Sequence, residues 1–482
     1  CIARCQRPGA DVTRAHPAGP KHGDIISSTA VHVRPEHMNE LDPSVWPTTA
    51  DRAGSGELTV AGVAITDLLA EYGSPLFVLD VADLRLRARG YREAFAANPE
   101  VSVDIYYAAK AFLAAAVVRI IRDEGLNIDV CTGGELACAL RAGMPAERIL
   151  FHGNNKSVEE LEAALSAGVG RIVVDSFTEL DRVSALAARR GTAARILIRV
   201  TVGVEAHTHE FIATAHEDQK FGFSLASGAA MAAVAQALSD PNLDLLGIHS
   251  HIGSQIFVAS GFEVAAHRSV EFLDRIRTEH GVALSELNLG GGLGIKYTDD
   301  DEPPLIEDIA PDLVGIVVRE CGKFDFPLPR LAFEPGRAVI GPAMITAYRV
   351  GTIKRRPLEG KRERIYVSVD GGMSDNIRTA LYDADYTVTL AGRASEAAGM
   401  LCRIVGKHCE SGDIVIRDAW LPDDLAVGDV IAVAATGAYN RSMASNYNMV
   451  PRPAVVAVTD GSAELVLRRE TLDDLLATDV GL

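Results

Sequence analysis

The sequence predicts an α/β fold, a (β/α)₈ TIM-type barrel followed by a mainly antiparallel β-domain. From about residue 75, short β-branched runs alternate with longer Ala/Leu-rich stretches of helical period, which is the pattern of βα units. After Gly336 the pattern changes to strand-like runs separated by Gly, Asp and Pro, which indicates an antiparallel sheet. A chain of 482 residues is long enough for two or three domains.

Eight runs are predicted as the parallel strands of the barrel. They are VDIYY from Val103, NIDVC from Asn127, RILFHG from Arg148, RIVVDS from Arg171, RILIRV from Arg195, LLGIHSHI from Leu245, ELNLGGG from Glu286 and RLAFEPG from Arg330. The first five recur every 21 to 24 residues, and the later intervals of 50, 41 and 44 residues leave room for inserted loops. VEAHTHEFIATAHEDQKFGF, after the fifth run, is one such loop.

Seven further runs are predicted as strands of the β-domain: ITAYRVGTI, RIYVSVDGG, YTVTLAG, LCRIVG, DIVIRD, DVIAVAATGAY and AVVAVTD. GELTVAGVAI, residues 56–65, has the same pattern but precedes the barrel, so we expect the β-domain to include part of the N-terminus. The predicted boundaries are 38–75 for this N-terminal segment, 76–340 for the barrel and 341–482 for the β-domain.

Residues 1–37 are predicted to be a disordered extension. They lack the apolar core of a secretory signal and show no hydrophobic periodicity. Met38 stands just before the pattern becomes regular, and a start codon there would leave the extension outside the native protein.

Charge and cysteine content exclude several classes of protein. The net charge of −18 comes without a basic block and argues against a nucleic-acid partner. Seven cysteines without CxxC spacing argue against a disulfide framework or a structural zinc module, and fit a reducing cytoplasm. The longest uncharged run, 221–239, is too weakly apolar to span a membrane.

Lys110 is the first unusual residue at a predicted strand end, where the reactive residues of such barrels lie. It follows the first strand in the otherwise apolar stretch YYAAKAF, where desolvation is expected to lower the pKa of its amine and favour a nucleophile. A surface lysine that opens a helix is the alternative.

The sixth strand runs into HSHIGSQ, which contains His249, His251 and Ser254. The two histidines are two residues apart and project to one side if the strand continues, so they could form a metal pair. A zinc site would need a third ligand, and none is evident, so we predict no metal site. His251 could instead stack on a flat ring and Ser254 could donate to an anion, while a buried core histidine is the alternative for each.

Two later strand ends carry a glycine run and a carboxylate. Gly290, Gly291 and Gly292 allow the backbone to approach a phosphate, although the run lacks the full GxGxxG spacing of dinucleotide sites. The eighth strand ends in EPGR, with Glu334 and Arg337, for which a structural salt bridge is the alternative. Together, a lysine, a histidine, a phosphate loop and a carboxylate are what pyridoxal phosphate requires.

These residues lie in motifs that resemble the fold type III pyridoxal-phosphate-dependent decarboxylases, which share an alanine-racemase-like architecture. The matching motifs occur in family order: YYAAKA, HGNNKS, HSHIGSQ, NLGGGLGI, EPGR, VDGGMSDNIRTALYDADY, GKHCESGD and GAYN. The resemblance extends from about Met38 to the C-terminus. Only residues 1–37 lack a counterpart in the core of that family.

The resemblance implies roles for the cofactor-binding residues. Lys110 would form the Schiff base, His251 would stack on the ring, and Glu334 would face the pyridine nitrogen. Ser254 and the loop of Gly290, Gly291 and Gly292 would hold the phosphate. The resemblance also implies a homodimer in which the partner's β-domain completes each active site.

The same resemblance implies an amino-acid substrate, meso-2,6-diaminopimelate, decarboxylated at its D-centre to L-lysine and carbon dioxide. Arg337, Arg378 and Tyr382 would hold the far end of the substrate, and Tyr439 would reach both cofactor and substrate. Arg378 and Tyr382 are four residues apart and share a face if SDNIRTALYD is helical, and a guanidinium suits a carboxylate. A solvated helix face is the alternative.

Three other functions remain open. Decarboxylases of ornithine, arginine or carboxynorspermidine share the cofactor residues. A non-catalytic regulatory relative would tolerate loss of the lysine or the phosphate loop, and both are present here. Alanine racemase would normally place an arginine where Glu334 is expected.

VGKHCESGDIV, residues 405–415, places Cys409 and Glu410 between two apolar runs that have the strand pattern. From the residues alone, Cys409 could be a buried structural cysteine, part of a metal site with His408, or a disulfide partner of Cys402. The resemblance implies that Cys409 donates a proton to the α-carbon across the dimer interface. It also implies that Glu410 binds the distal ammonium of the substrate.

Overall fold

The computed structural model describes residues 37–203, 220–358 and 363–482. It confirms the predicted fold class, a closed parallel barrel beside a separate, mainly antiparallel sheet. Almost all of the predicted extension, and most of the loop after the fifth barrel strand, lie outside the described residues. Among the described residues, no helix is long and apolar enough to cross a bilayer.

The N-terminal segment forms a small antiparallel sheet of its own. Its elements are β1 Asp51–Arg52, β2 Leu58–Val60, β3 Val63–Ala64 and helix α1 Ile65–Tyr72. Trp46, Leu58 and Ile65 are buried in one apolar cluster with Ile345 and Ala432 of the β-domain. GELTVAGVAI therefore forms strands as predicted, and it packs on the β-domain instead of extending its large sheet.

The next strand, β4 Leu76–Asp80, corrects the predicted boundary at residue 76. All five of its residues are buried, and it lies in the large sheet of the β-domain. The barrel therefore begins only with helix α2 at Val81.

The eight barrel strands occur where the sequence predicts them, and one further short strand, Phe223–Ser224, was not predicted. They are β5 Val103–Ala108, β6 Asn127–Val130, β7 Ile149–Phe151, β8 Arg171–Val174, β9 Ala194–Thr201, β10 Phe223–Ser224, β11 Leu243–His249, β12 Glu286–Asn288 and β13 Arg330–Phe333. All pairings are parallel, and the ring closes because β13 pairs with β5 and β8 pairs with β9. The short β10 adds to β9 beside this ring.

Helices precede, connect and follow these strands and form most of the outer layer of the barrel. They are α2 Val81–Phe95, α3 Ala115–Asp123, α4 Gly133–Arg141, α5 Val158–Ala167, α6 Phe177–Arg190, α7 Ala229–Ser239, α8 Ser260–His280, α9 Ile306–Phe324 and α10 Arg337–Ile340. Capping residues in the sequence determine where several of these helices begin. HGNNKS ends at Ser157, which forms a capping box with Glu160 and thereby begins α5.

The β-domain contains all seven predicted strand runs. Its elements are β14 Met344–Pro357, β15 Glu363–Val369, α11 Arg378–Tyr382, β16 Val388–Leu390, β17 Gly399–Val405, β18 Ile414–Pro422, β19 Val430–Val433, β20 Ala454–Thr459, β21 Ser462–Leu467 and α12 Leu472–Leu476. The sheet order is β18-β17-β15-β14-β4-β20-β21, with β19 between β14 and β16. Only β15–β17 and β4–β20 are parallel among these pairs.

Strand β21 was missed by the sequence analysis, although a signal was present. It pairs antiparallel with β20 across the turn Asp460–Gly461, and both turn residues have positive φ, 46° and 76°. An Asp-Gly pair between alternating apolar residues is a strong indication of a two-residue hairpin.

Candidate active site

A pocket lies at the C-terminal end of the barrel strands, where such barrels carry their reactive residues. Its lining is Ala108, Lys110, His251, Ser254, Gly291, Gly292, Leu293, Glu334, Gly336, Arg337 and Tyr439. The fold thus brings together eight of the predicted site residues, and Gly290 is next to His251, since a Cβ on Gly290 would lie 2.8 Å from Nδ1 of His251. Within the described chain, Arg378, Tyr382, Cys409 and Glu410 are not part of this lining.

Lys110 follows β5 and is exposed towards the pocket, with protein groups around its amine. Burial lowers the pKa of this amine, but the nearby Tyr439, Cys131 and Asp129 outweigh burial and leave the pKa above its ordinary value. The prediction that desolvation lowers the pKa of Lys110 is therefore wrong, because the neighbouring protein groups raise this pKa more than burial lowers it. The sequence did not show that a second buried carboxylate, Asp129, lies beside this lysine.

Glu334 is held by three buried side chains at the end of β13. One carboxylate oxygen, Oε1, accepts from Asn288 Nδ2 at 2.8 Å and lies 2.8 Å from Nε2 of His152. The other, Oε2, lies 3.4 Å from Nε2 of His249. Burial raises the pKa of Glu334, but the two histidines outweigh burial and hold the pKa well below its usual range. Glu334 is therefore a carboxylate at neutral pH.

His152 was not identified from the sequence, although it lies in HGNNKS. Its ring meets that of His249 edge-on with centroids 4.6 Å apart, and burial lowers the pKa of both, that of His249 to about 4. His152, His249 and Glu334 have ligand atoms within 4.8 Å of one another and could hold a metal ion. A third ligand was not evident from the sequence, and the structure provides one. The group consists of His152, His249 and Glu334, however, and does not include His251.

His251 lies just beyond β11 against the glycine loop. Its Nδ1 accepts from the backbone N–H of Gly291 at 3.2 Å, and burial lowers the pKa of the ring well below its usual range, so it is neutral. Gly290 and Gly292 have φ of 69° and 119°, which glycine adopts readily. A Cβ on Gly292 would lie 2.5 Å from the carbonyl oxygen of Gly253, so the loop requires glycine there.

Arg337 contacts one serine and two tyrosines at the pocket. Its Nη2 donates to Ser254 Oγ at 2.8 Å and its Nη1 donates to Tyr297 Oη at 2.6 Å. The guanidinium also lies over the ring of Tyr439, 4.9 Å from the centroid. The salt bridge considered for Glu334 and Arg337 is not what forms, because Glu334 binds the two histidines and Asn288 instead.

Arg378 begins α11, so the predicted helical stretch is present. Its Nη1 donates to Tyr386 Oη at 2.6 Å, and its guanidinium lies 4.9 Å from the ring centroid of Tyr297. Tyr382, four residues on, is half-buried at the end of the same helix. Tyr297 and Tyr386 were not identified from the sequence, since nothing in their local pattern shows that they would meet two arginines.

Tyr297 therefore links the two candidate substrate-binding arginines. Burial raises the pKa of Tyr297, but the guanidinium groups of Arg337 and Arg378 outweigh burial and lower the pKa below its ordinary value. The two guanidinium groups on one phenol place two positive charges at and beside the pocket, which suits a substrate carboxylate.

Cys409 and Glu410 lie at the tip of the β17–β18 hairpin, so the two apolar runs around them are strands as predicted. Both residues are exposed, so Cys409 is not a buried structural cysteine. Its thiol is free, and the thiol of Cys402 is separately buried, so the disulfide alternative is wrong. His408 binds Ser374 and Asn448, at 2.8 and 3.0 Å, instead of forming a metal site with Cys409.

Asp375, in the loop before α11, carries a pH-dependent contribution to stability. Burial raises the pKa of its carboxyl to about 7, and hydrogen bonds from Tyr348 and Gly372 only partly oppose this. The folded state therefore binds this proton more tightly than the unfolded chain, and stability falls as pH rises from about 4 to 7.

We expect Asp375→Asn to lose less stability between pH 5 and pH 8 than the wild type, measured by urea unfolding at both values. Asp429→Asn is the control, since Asp429 is an acceptor in the same domain that binds Ala426 and Arg393. An equal loss in all three proteins would contradict the prediction.

Fold and pocket together define an enzyme class, a barrel-plus-β-domain protein built to carry pyridoxal phosphate. The chemistry of the pocket fits that group: an amine for its aldehyde, a carboxylate for its ring nitrogen, and a hydroxyl, a guanidinium and a glycine loop for its phosphate. The family model for the pyridoxal-binding domain of pyridoxal-dependent decarboxylases matches residues 81–341. The chain belongs to these decarboxylases and, within them, to the diaminopimelate decarboxylases.

The relatives and structures support this assignment over most of the chain. The diaminopimelate decarboxylase of Mycobacterium leprae is 54% identical over 96% of this chain and 99% of its own length. That of Bacillus subtilis is 46% identical over 88% of this chain and 95% of its own length. The crystal structure of the M. jannaschii enzyme with L-lysine has a TM-score of 0.84 at 32% identity, covering 90% of this chain and 98% of that one.

The M. leprae match also bears on residues 1–37. The unmatched 4% of this chain is about 19 residues, which is fewer than the 37 of the predicted extension. Part of that extension therefore has a counterpart in at least one relative, although the motifs of the family's core all follow it.

Proposed function

We propose that this protein decarboxylates meso-2,6-diaminopimelate at its D-centre, giving L-lysine and carbon dioxide as the last step of lysine biosynthesis. The observation that carries the proposal is the single pocket in which Lys110, the glycine loop and Glu334 meet, with two arginines around Tyr297 beside it. The names of the relatives, and the lysine complexes of the M. jannaschii and Helicobacter pylori enzymes, support this substrate and product.

The cofactor would be held by residues from four barrel strand ends, those of β5, β11, β12 and β13. Lys110 would bind it covalently, His251 would lie against its ring, and Ser254, the 290–292 loop and Arg337 would hold its phosphate. Bound pyridoxal phosphate supplies an electron-withdrawing ring that stabilises the charge left on the α-carbon when carbon dioxide departs. Glu334, kept ionised by its two histidines, would keep the ring nitrogen protonated.

A neutral amide in place of Glu334 tests that role. We expect Glu334→Gln to bind the cofactor but to decarboxylate on the order of 100-fold more slowly, because an amide cannot retain the proton on the ring nitrogen. Steady-state turnover and the visible spectrum of the purified protein measure both effects. Glu320→Gln is the matched control, since Glu320 is a buried carboxylate 2.8 Å from His267, on α9 outside the pocket. Equal turnover in the two variants would contradict the assignment.

The substrate's far end would be bound on the positive side of the pocket. Arg337 and Arg378, joined through Tyr297, would bind the distal carboxylate, with Tyr382 and Tyr439 at the edge. Glu410 would bind the distal ammonium. This pairing of a cation with an anion is what distinguishes a substrate with a second amino-acid centre from ornithine, which would require carboxylates there.

We also propose a homodimer with shared active sites and a cytoplasmic location. Cys409 and Glu410 are exposed at a hairpin tip and do not line the pocket described in their own subunit. A second subunit that brings this tip to the pocket would complete the site, with Cys409 delivering the proton to the α-carbon.

Glu410→Gln is expected to weaken substrate binding more than turnover. The loss of one charge-assisted hydrogen bond corresponds to roughly a 10- to 100-fold increase in KM, with a smaller change in kcat. Initial-rate kinetics over a range of diaminopimelate concentrations separate the two constants. Glu396→Gln is the control, because Glu396 is another exposed glutamate of the β-domain outside the pocket lining.

The test of the proposed function is release of carbon dioxide by the purified holoenzyme from meso-diaminopimelate, compared with ornithine and arginine. We expect lysine to form stoichiometrically from diaminopimelate, with at least about 100-fold lower kcat/KM for the other two amino acids, since they leave the distal arginines unpaired. Preference for ornithine or arginine would overturn the substrate assignment.

A further inference from the structure

The hairpin tip that carries Cys409 and Glu410 is bound to a second loop of the same subunit. We call residues 406–413 the tip and residues 370–376 the anchor loop. Asp413 connects them: Oδ1 accepts from the backbone N–H of Met373 at 2.6 Å, and Oδ2 accepts from the backbone N–H of His408 at 2.7 Å. Asp413 is only 3% exposed, so its carboxylate is buried between the two segments.

Glycines on both sides leave room for this carboxylate. A Cβ on Gly372, in the anchor loop, would lie 2.4 Å from Oδ1 of Asp413. A Cβ on Gly406, in the tip, would lie 2.4 Å from both carboxylate oxygens. A buried carboxylate is costly unless hydrogen bonds satisfy it, so two glycines and two backbone donors around one aspartate form a specific site for its side chain.

His408 adds a second connection beside the first. Its ring is buried, with Nε2 2.8 Å from Ser374 Oγ and Nδ1 3.0 Å from Asn448 Oδ1. The backbone N–H of Lys407 donates to the carbonyl oxygen of Gly371 at 3.0 Å. The residue that immediately precedes Cys409 is therefore fixed by its backbone and its side chain, whereas Cys409 itself is exposed.

The anchor loop leads directly into the helix that begins with Arg378. Asn376 Oδ1 accepts from the backbone N–H of Arg378 at 3.3 Å, and Asp375 accepts from the backbone N–H of Gly372 within the loop and from the hydroxyl of Tyr348 in β14. Asp413 thus holds the tip to the same short segment that places Arg378 beside Tyr297. The proposed proton donor, the distal-ammonium ligand and the distal-carboxylate ligand are parts of one hydrogen-bonded unit.

We propose that Asp413 is a positioning residue for decarboxylation, which acts through the tip by fixing Cys409 and Glu410 relative to the anchor loop. It is not a catalytic residue, because both carboxylate oxygens face backbone N–H groups and it does not line the pocket. The inference rests on the proposed function, since it requires that Cys409 delivers the proton.

Asp413→Asn in the holoenzyme tests this role. An amide nitrogen would face a backbone N–H in place of an acceptor, so one of the two bonds is lost. We expect kcat to fall roughly 10- to 100-fold and KM for diaminopimelate to rise, with cofactor absorbance retained. In a Cys409→Ala background the same substitution should lower kcat by no more than about twofold, because residues that act through one group are not additive.

Hydrogen exchange provides a readout that does not depend on activity. Backbone amides of the tip and the anchor loop should exchange faster in Asp413→Asn, while those of the barrel strands should be unchanged. Asp429→Asn, which alters an acceptor in the β18–β19 turn, is the matched control and should leave both segments and kcat as in the wild type. Additive losses of kcat with Cys409→Ala, or unchanged exchange in the two segments, would overturn the proposal.

Two further experimental outcomes can be distinguished from those above. If Asp413→Asn does not fold, Ser374→Ala removes only the side-chain contact with His408, and faster exchange of the tip with a non-additive loss of kcat is expected from it as well. Additive loss with unchanged exchange in Ser374→Ala would then overturn the proposal. Normal turnover in Cys409→Ala alone would contradict the proton-donor role of Cys409, and with it this proposal, while the decarboxylation of diaminopimelate would still stand on its own test.

Discussion

Lys110→Ala is expected to abolish decarboxylation, with a loss of at least about 10⁴-fold in kcat. Lys110 is the lysine that lines the pocket, and its amine is surrounded by Tyr439, Cys131 and Asp129. Those groups raise the pKa of the free amine, so the protein's own environment favours the charged form.

The role of Lys110 is tested by measuring turnover and by chemical labelling of the lysine. Borohydride treatment followed by peptide mass analysis should place a pyridoxyl group on the peptide that contains Lys110, and on no peptide of Lys110→Ala. Lys354→Ala, at an exposed position in β14, is the control and should behave as the wild type. A pyridoxyl group on another lysine of the wild-type protein would contradict the assignment.

Cys409→Ala is expected to show the second largest effect, a decrease in kcat on the order of 10²- to 10⁴-fold, the range that general acids contribute. Cofactor binding should be unchanged, because the pocket residues that would hold the cofactor lie in the barrel and at Tyr439. The absorbance of bound cofactor and the turnover rate are measured on the same preparation.

Cys138→Ala is the control for Cys409, since it removes a free, half-buried thiol from α4 of the barrel. Near-normal turnover in Cys409→Ala would show that the tip thiol is an exposed residue without a part in catalysis. A loss of bound cofactor in the same variant would instead show that the tip has a structural role.

The fold was predictable from the sequence because its signal is periodic. The spacing of the first five barrel runs and the Gly, Asp and Pro residues after Gly336 are local features, and they determine strand positions directly. The membership of β4 was not predictable in this way. A fully buried strand has no alternating pattern, and its neighbours in the sheet are hundreds of residues later in the chain.

The candidate site was predictable where it follows from strand ends. Lys110, Glu334 and the 290–292 loop end barrel strands, so a closed barrel brings them together. The residues that contact the site residues were not identified from the sequence. Examples are His152, which contacts Glu334, and Tyr297, which lies between two arginines. Their contacts depend on side-chain directions, and the net pKa of Lys110 depends on several such neighbours at once.

Strand β4 also determines the order in which the large sheet of the β-domain can form. It lies between β14, with which it pairs antiparallel, and β20, with which it pairs parallel, yet the whole barrel separates it from both in the chain. The barrel is thus an insertion within the β-domain. A fragment of residues 341–482 would lack the strand that joins β20 and β21 to β14, and a fragment ending at 340 would leave an apolar strand without partners. During synthesis β4 emerges early and must wait for the last part of the chain, so long-range pairing is expected to limit the rate of folding.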